Sequence, residues 1–70
     1  MTQDDITAEL SALGATGIAF ASAGGAHGIK FNVGHKKLYH AARSGSWRGA
    51  ARHLRDASVS LAEKHLGRMA

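Results

Sequence analysis

Two sets of residues in this chain have the types and spacing to act on a polyanion. The first is His27, in the stretch AGGAHGIKF from Ala23 to Phe31, where it follows a Gly24-Gly25 pair and opens an alternating run. Imidazole is the side chain that takes and gives protons near neutral pH, so a histidine held at the end of a strand can serve as general acid or base toward a ribose hydroxyl. The competing reading is a solvated histidine beside a hairpin turn. The second set is Tyr39 with Lys30 and Lys37. An aromatic ring between two ammonium groups can stack a base while the ammoniums meet phosphates. Its competing reading is an ordinary wet sheet face. Arg43, Arg48, Arg52 and Arg55 extend the basic set, although the last three also fit the wet side of a helix.

Other chemistries find no support in the spacing. His27, His35, His40, His53 and His65 contain no H-x-H pair and no H-E-x-x-H, so no metal site is read from them. With no cysteine, neither a thiolate site nor a disulfide is available. GGAHG lacks the order of a phosphate-binding loop, and the acids are too few and too near the chain ends for a Ser-His-Asp set. No cofactor is expected.

The formal net charge of +4 conceals a segregation. Asp4, Asp5, Glu9, Asp56 and Glu63 flank the segment from Leu10 to Arg55, which holds seven lysines and arginines and no acid. Such a segment favours RNA or single-stranded nucleic acid, because each phosphate it neutralises releases condensed counterions. An acidic protein surface is the second class of partner it suits. No apolar run reaches the ~18 residues of a membrane span, and the opening MTQDDITAEL is acidic where a secretory signal is basic and then apolar. The expectation is a soluble cytoplasmic protein. A chain of 70 residues forms one small, marginally stable domain, for which a partner or a homodimer is a natural reinforcement.

The elements that must position these residues follow from periodicity. Thr2 or Asp4 can cap a helix whose stripe is Ile6, Leu10 and Leu13, with Gly14 ending it. From Thr16 the period falls to two. Gly24-Gly25 and Gly34-His35 are turn signals that predict the pairs Phe20 with Ile29, Ile18 with Phe31, Phe31 with Leu38, and Lys30 with Tyr39. Both turns then assign Ile18, Phe20, Ile29, Phe31, Val33 and Leu38 to one apolar face. Lys30, Asn32, Lys37 and Tyr39 go to the other, beside Gly17, Ala19, Ala21 and Gly28. After Ser44 or Ser46 as cap, Trp47, Ala50 or Ala51, Leu54, Ala57 and Leu61 form a stripe to cover the apolar face, with Trp47 as an anchor. Arg52 and Asp56 have the spacing of an ion pair. Residues 58–67 either continue this helix or, through the Ser60 and Glu63 capping box, begin a third. The fold class is therefore α+β, in the order α-β-β-β-α, a three-stranded antiparallel sheet covered on one face by helices.

On these elements the chain resembles the HicA family of mRNA-cleaving toxins, partners of HicB antitoxins, whose fold is like the double-stranded RNA-binding domain. GGAHGIKF is similar to that family's glycine, small residue, histidine and strand signature. SGSWRGAARHLRDASVS is similar to its helix-opening segment. The resemblance implies a metal-independent endoribonuclease with His27 as the catalytic histidine, helping a ribose 2'-hydroxyl attack the adjacent phosphodiester, and an antitoxin as partner. The alternative is a non-catalytic phage or host regulator that uses the same basic residues to occupy an acidic protein surface or a nucleic-acid groove.

Overall fold

The computed structural model describes residues 1–69. Its elements are α1 (Gln3–Ala12), β1 (Thr16–Ala23), β2 (Ala26–Val33), β3 (Lys36–Arg43) and α2 (Trp47–Met69). The strands form one antiparallel sheet in the order β1-β2-β3, so the strand that carries His27 and Lys30 is central. Ile29, Phe31 and Val33 of β2 are buried against Ile6 and Leu10 of α1 and Ala50 and Leu54 of α2. Both helices thus share one side of the sheet, as the alternation requires.

The ends of α1 are built locally. Thr2 Oγ1 accepts from the Asp5 N–H at 3.2 Å, while Asp5 Oδ2 accepts from the Thr2 N–H at 2.8 Å, a reciprocal capping box that makes Thr2 the cap. The hydrogen bond that the Thr2 backbone N–H gives to the carboxylate, helped by the nearby Thr2 hydroxyl, holds the Asp5 carboxyl below its ordinary range. At the other end Gly14 takes φ +99°, the Ala15 N–H reaches Leu10 O and the Gly14 N–H reaches Ser11 O, both at 3.0 Å. That is a Schellman termination, which needs a residue tolerant of positive φ at this position.

The turns set the sheet. Gly24 and Gly25 both have positive φ, as a type I' hairpin demands, and Gly34 alone does in the second turn, matching glycine at the first position of type II'. Phe20 pairs with Ile29, Phe31 with Leu38 and Lys30 with Tyr39, as the turns predict. The expected pairing of Ile18 with Phe31 is replaced by a bulge. Thr16 lies across from Asn32 and Ala19 across from Lys30, so Gly17 and Ile18 together oppose Phe31. Gly17 enters the left-handed region at φ +61°, and the Asn32 side chain occupies the space a Cβ would need there. Glycine in that conformation is the usual first residue of a bulge. Ile18 still packs on the core.

Ser46 caps α2, its hydroxyl accepting from the Gly49 N–H at 3.2 Å and its carbonyl from the Ala50 N–H at 3.1 Å. The helix continues unbroken through Ser58-Val59-Ser60, so residues 58–67 extend it and the Ser60 capping box is not used. Its buried line runs Ala50, Ala51, Leu54, Ser58, Ala62, and Ala57 and Leu61 lie at the margins. Ser58 replaces Ala57 on that line because the helix turns its small polar residue inward. Ser58 is fully buried and its Oγ has no hydrogen-bond partner.

Replacing Phe31, which is 2% exposed, by Ala removes the largest buried side chain of the central strand. It should cost about 3 to 5 kcal/mol in chemical denaturation, and a loss under about 1 kcal/mol would place Phe31 outside the core. Ser58→Ala should act the other way. Deleting an unpartnered buried hydroxyl should raise the unfolding free energy by about 1 kcal/mol, and a fall instead would show that the hydroxyl has a partner.

Candidate nucleic-acid interface

The face of the sheet turned away from the helices is a lattice of small and basic residues. Across it, one rung holds Ala19, Lys30 and Tyr39, the next Ala21, Gly28 and Ala41, and the next Ala23, Ala26 and Arg43. On the other side of the first rung, Thr16, Asn32 and Lys37 form a fourth. No helix covers this surface, and Tyr39 stands on it 67% exposed.

Tyr39 lies lengthwise over Gly28. A Cβ added at Gly28 would meet the Tyr39 Oη at 3.0 Å and Cε2 at 3.2 Å, so the missing side chain is what lets the ring lie down along the sheet. Beside the ring is an apolar dent of about 60 Å³ floored by Ala19, Ala21 and Gly28 and bounded by Lys30. On the other side of Lys30 opens a cleft of about 260 Å³ that Lys30 and Lys37 share with Asn32 and Gly17. Lys30 therefore separates a shelf suited to a flat ring from a cleft whose donors, two ammonium groups and an amide, suit a phosphate. Asn32 and Gly17 complete that cleft. Parity had placed both on this face, but the bulge that opens the cleft between them is visible only in the folded chain.

The electrostatics of the face are one-sided. The five acids all lie on the helices, Asp4, Asp5 and Glu9 on α1 and Asp56 and Glu63 on α2, leaving Lys30, Lys37 and Arg43 without an acidic neighbour on the sheet. The helical arginines stand apart from this group. Arg48, Arg52 and Arg55 belong to α2, in the other layer, so the basic block of the sequence folds into two surfaces. Arg55 binds Asp56 at 2.6 Å and Glu9 of α1 at 3.3 Å, contacts led by the Asp56 hydrogen bond that raise its guanidinium pKa further. Asp56 is thus engaged by its neighbour Arg55 and not by Arg52, the partner that helical spacing predicts. Arg48 and Arg52 are exposed.

His27 is on the helix side. It pairs with Ser22 of β1 and Ala42 of β3, and its Nδ1 is 2.7 Å from Ser22 Oγ. Its ring meets the Trp47 indole edge to face at 5.9 Å, and Trp47 in turn packs on Phe20 at 5.7 Å. The Trp47 Nε1–H donates to the Met1 carbonyl at 2.9 Å, so this tryptophan is a half-buried clasp between the chain start, α2 and the sheet. Ser22, which carried no signal of its own in the sequence, fixes the orientation of the imidazole. The sheet therefore divides the predicted residues: Lys30, Lys37, Tyr39 and Arg43 share the open face, and His27 lies behind it. The two sets approach each other only at the first hairpin, where Ala26 pairs with Arg43 and His27 with Ala42.

No family model matches the chain, and neither the curated proteins nor the solved structures contain a match to it.

Proposed function

We propose that this protein binds single-stranded RNA along the open face of its sheet. The observation that carries the reading is the exposed Tyr39 ring laid over Gly28, with Lys30 and Lys37 around an adjoining cleft and no acid on the sheet. A base stacks on the tyrosine and on the small residues beside it. The phosphate next to that base enters the cleft between the lysines, where Asn32 adds an amide donor. Arg43 then receives the chain as it leaves toward the first hairpin. The contacts are to ring faces and backbone, so affinity is broad in sequence and steep in salt.

A second reading, cleavage of the bound RNA, is favoured by the Ser22 to His27 hydrogen bond, which orients one imidazole at the sheet end near Arg43. In this reading the chain belongs with the HicA-like toxins it resembles, the order α-β-β-β-α being in keeping with that family. His27 takes the proton of a ribose 2'-hydroxyl, whose oxygen attacks the neighbouring phosphorus and expels the 5'-oxygen, which takes a proton from water to leave as a 5'-hydroxyl beside a 2',3'-cyclic phosphate. No metal enters this step.

Binding is tested with a short unstructured RNA at several salt concentrations. Tyr39→Ala should weaken affinity by about 1 to 3 kcal/mol. Lys30→Ala and Lys37→Ala should each weaken it for every sequence and make the slope of log affinity against log salt shallower by about 1. Arg52→Ala, in the other layer, should leave affinity unchanged. If Arg52→Ala weakened RNA binding while Tyr39→Ala did not, the RNA interface would belong to α2 instead; if none of these changes altered RNA affinity, the sheet face would be only a solvated surface and an acidic protein docked on Arg48, Arg52 and Arg55 the partner to seek.

Cleavage has its own assay, the appearance of cyclic-phosphate ends in the presence of a chelator. His27→Ala should abolish them while retaining the affinity of the parent protein. Ends that persist in that variant would remove His27 from the chemistry, and no ends from the parent would leave a binding protein only.

A further inference from the structure

His40 and His53 are thirteen residues apart in the chain and belong to different layers, yet their Nε2 atoms approach to 2.9 Å. The rings are tilted by 51° with centroids 4.9 Å apart, so the two nitrogens face each other at the seam between β3 and α2. We propose that this pair is a two-histidine chelate for a divalent transition-metal ion that prefers tetragonal coordination, Cu(II) or Ni(II).

The spacing is that of two ligands able to share one ion. Imidazole nitrogens bind such ions at about 2.0 to 2.1 Å, so two ligands at a right angle stand about 2.9 Å apart, whereas two tetrahedral ligands stand about 3.3 Å apart. At 2.9 Å the pair rests at hydrogen-bonding distance, and a modest turn of the two rings toward a common point brings both nitrogens onto neighbouring positions of a square-planar or tetragonal site.

Rigid elements hold both rings. His40 lies across from Ile29 on the sheet, and His53 precedes the fully buried Leu54 on α2. His53 is exposed and His40 half-buried, so an ion can enter from solvent and keep water at its remaining positions. Among the described residues no third histidine, cysteine or carboxylate joins the pair, which suits an ion that retains exchangeable ligands better than a closed structural zinc site.

Without metal the pair is an N–H···N hydrogen bond between neutral rings, one donating and one accepting. For the ion to enter, the donor ring moves its proton from Nε2 to its own Nδ1 through solvent, and both Nε2 lone pairs then face the metal with no net proton released. Tyr39 is the neighbour of His40 and points to the opposite face. A metal held here therefore clamps α2 to the strand that carries Lys37, Tyr39 and Arg43.

The test titrates the tag-free full chain with nickel chloride, followed by calorimetry and thermal unfolding. One ion should bind per chain, and the melting temperature should rise with the logarithm of free metal, as ligation of the folded state alone requires, and return on adding EDTA. His53→Ala should remove both effects. That variant retains the fold, because His53 is exposed and alanine favours helix. His65→Ala should retain both effects. With Cu(II), the parent's electron paramagnetic resonance spectrum should carry superhyperfine structure from two imidazole nitrogens, lost in His53→Ala. Absence of saturable binding by the parent, or binding by His53→Ala with the parent's affinity, would overturn the chelate and leave a hydrogen-bonded pair.

Discussion

The central strand is the constraint on which the other elements depend. β2 is hydrogen-bonded along both edges, so its pleat leaves each side chain only two directions. Ile29, Phe31 and Val33 go one way and are buried; Gly28, Lys30 and Asn32 go the other. Burying the first set requires a cover, which α1 and α2 supply from the same side, and that choice leaves the second set in the open. The apolar core and the candidate interface are two faces of one eight-residue strand. A register slip of one residue would exchange them, placing lysine in the core.

Glycine makes this arrangement possible at particular points. The two hairpin turns use positive φ to fix register, and Gly17 uses it to place a bulge in β1. The bulge bends the sheet beside Asn32, next to the cleft where the two lysines meet. Gly28 acts without unusual φ, through the absence of a side chain beneath Tyr39. An aromatic residue on an exposed strand would otherwise stand up into solvent and present an edge. Here it lies along the sheet and presents a face, the orientation that stacking on a base requires.

Charge follows the same division into layers. The acids lie on the helices, where Asp4 and Asp5 sit in the first turn of α1 and favour the helix dipole, and Glu9 and Asp56 hold Arg55 between the helices. The sheet's basic residues have no such partners. α2 closes on the sheet with alanines and a serine along most of its buried line, so the layers approach closely but gain little buried area from each residue. Cross-layer contacts lie at its margin, the Trp47 clasp at one end and the His40 to His53 pair further along.

Periodicity and turn chemistry by themselves determined the α-β-β-β-α order, the central place of β2 and the residues on each face of the sheet. These are local quantities: alternation, glycine pairs and caps act over a few residues, and two independent turns agreed on one register. The set Lys30, Lys37 and Tyr39 was legible for the same reason, since parity alone puts them together. Only the tertiary structure decided what depends on how layers meet. The basic block reads as one surface along the chain, but Arg48, Arg52 and Arg55 fall in the helical layer, and Arg55 is held by both Asp56 and, across the layer from α1, Glu9. The bulge at Gly17 was hidden because an alternating pattern does not reveal an extra residue when that residue is glycine. The Ser22 bond to His27 and the convergence of His40 with His53 depend on side-chain direction and on the rotation of α2 about its axis. Helical spacing gives the stripe of a helix, and packing against the sheet sets its phase.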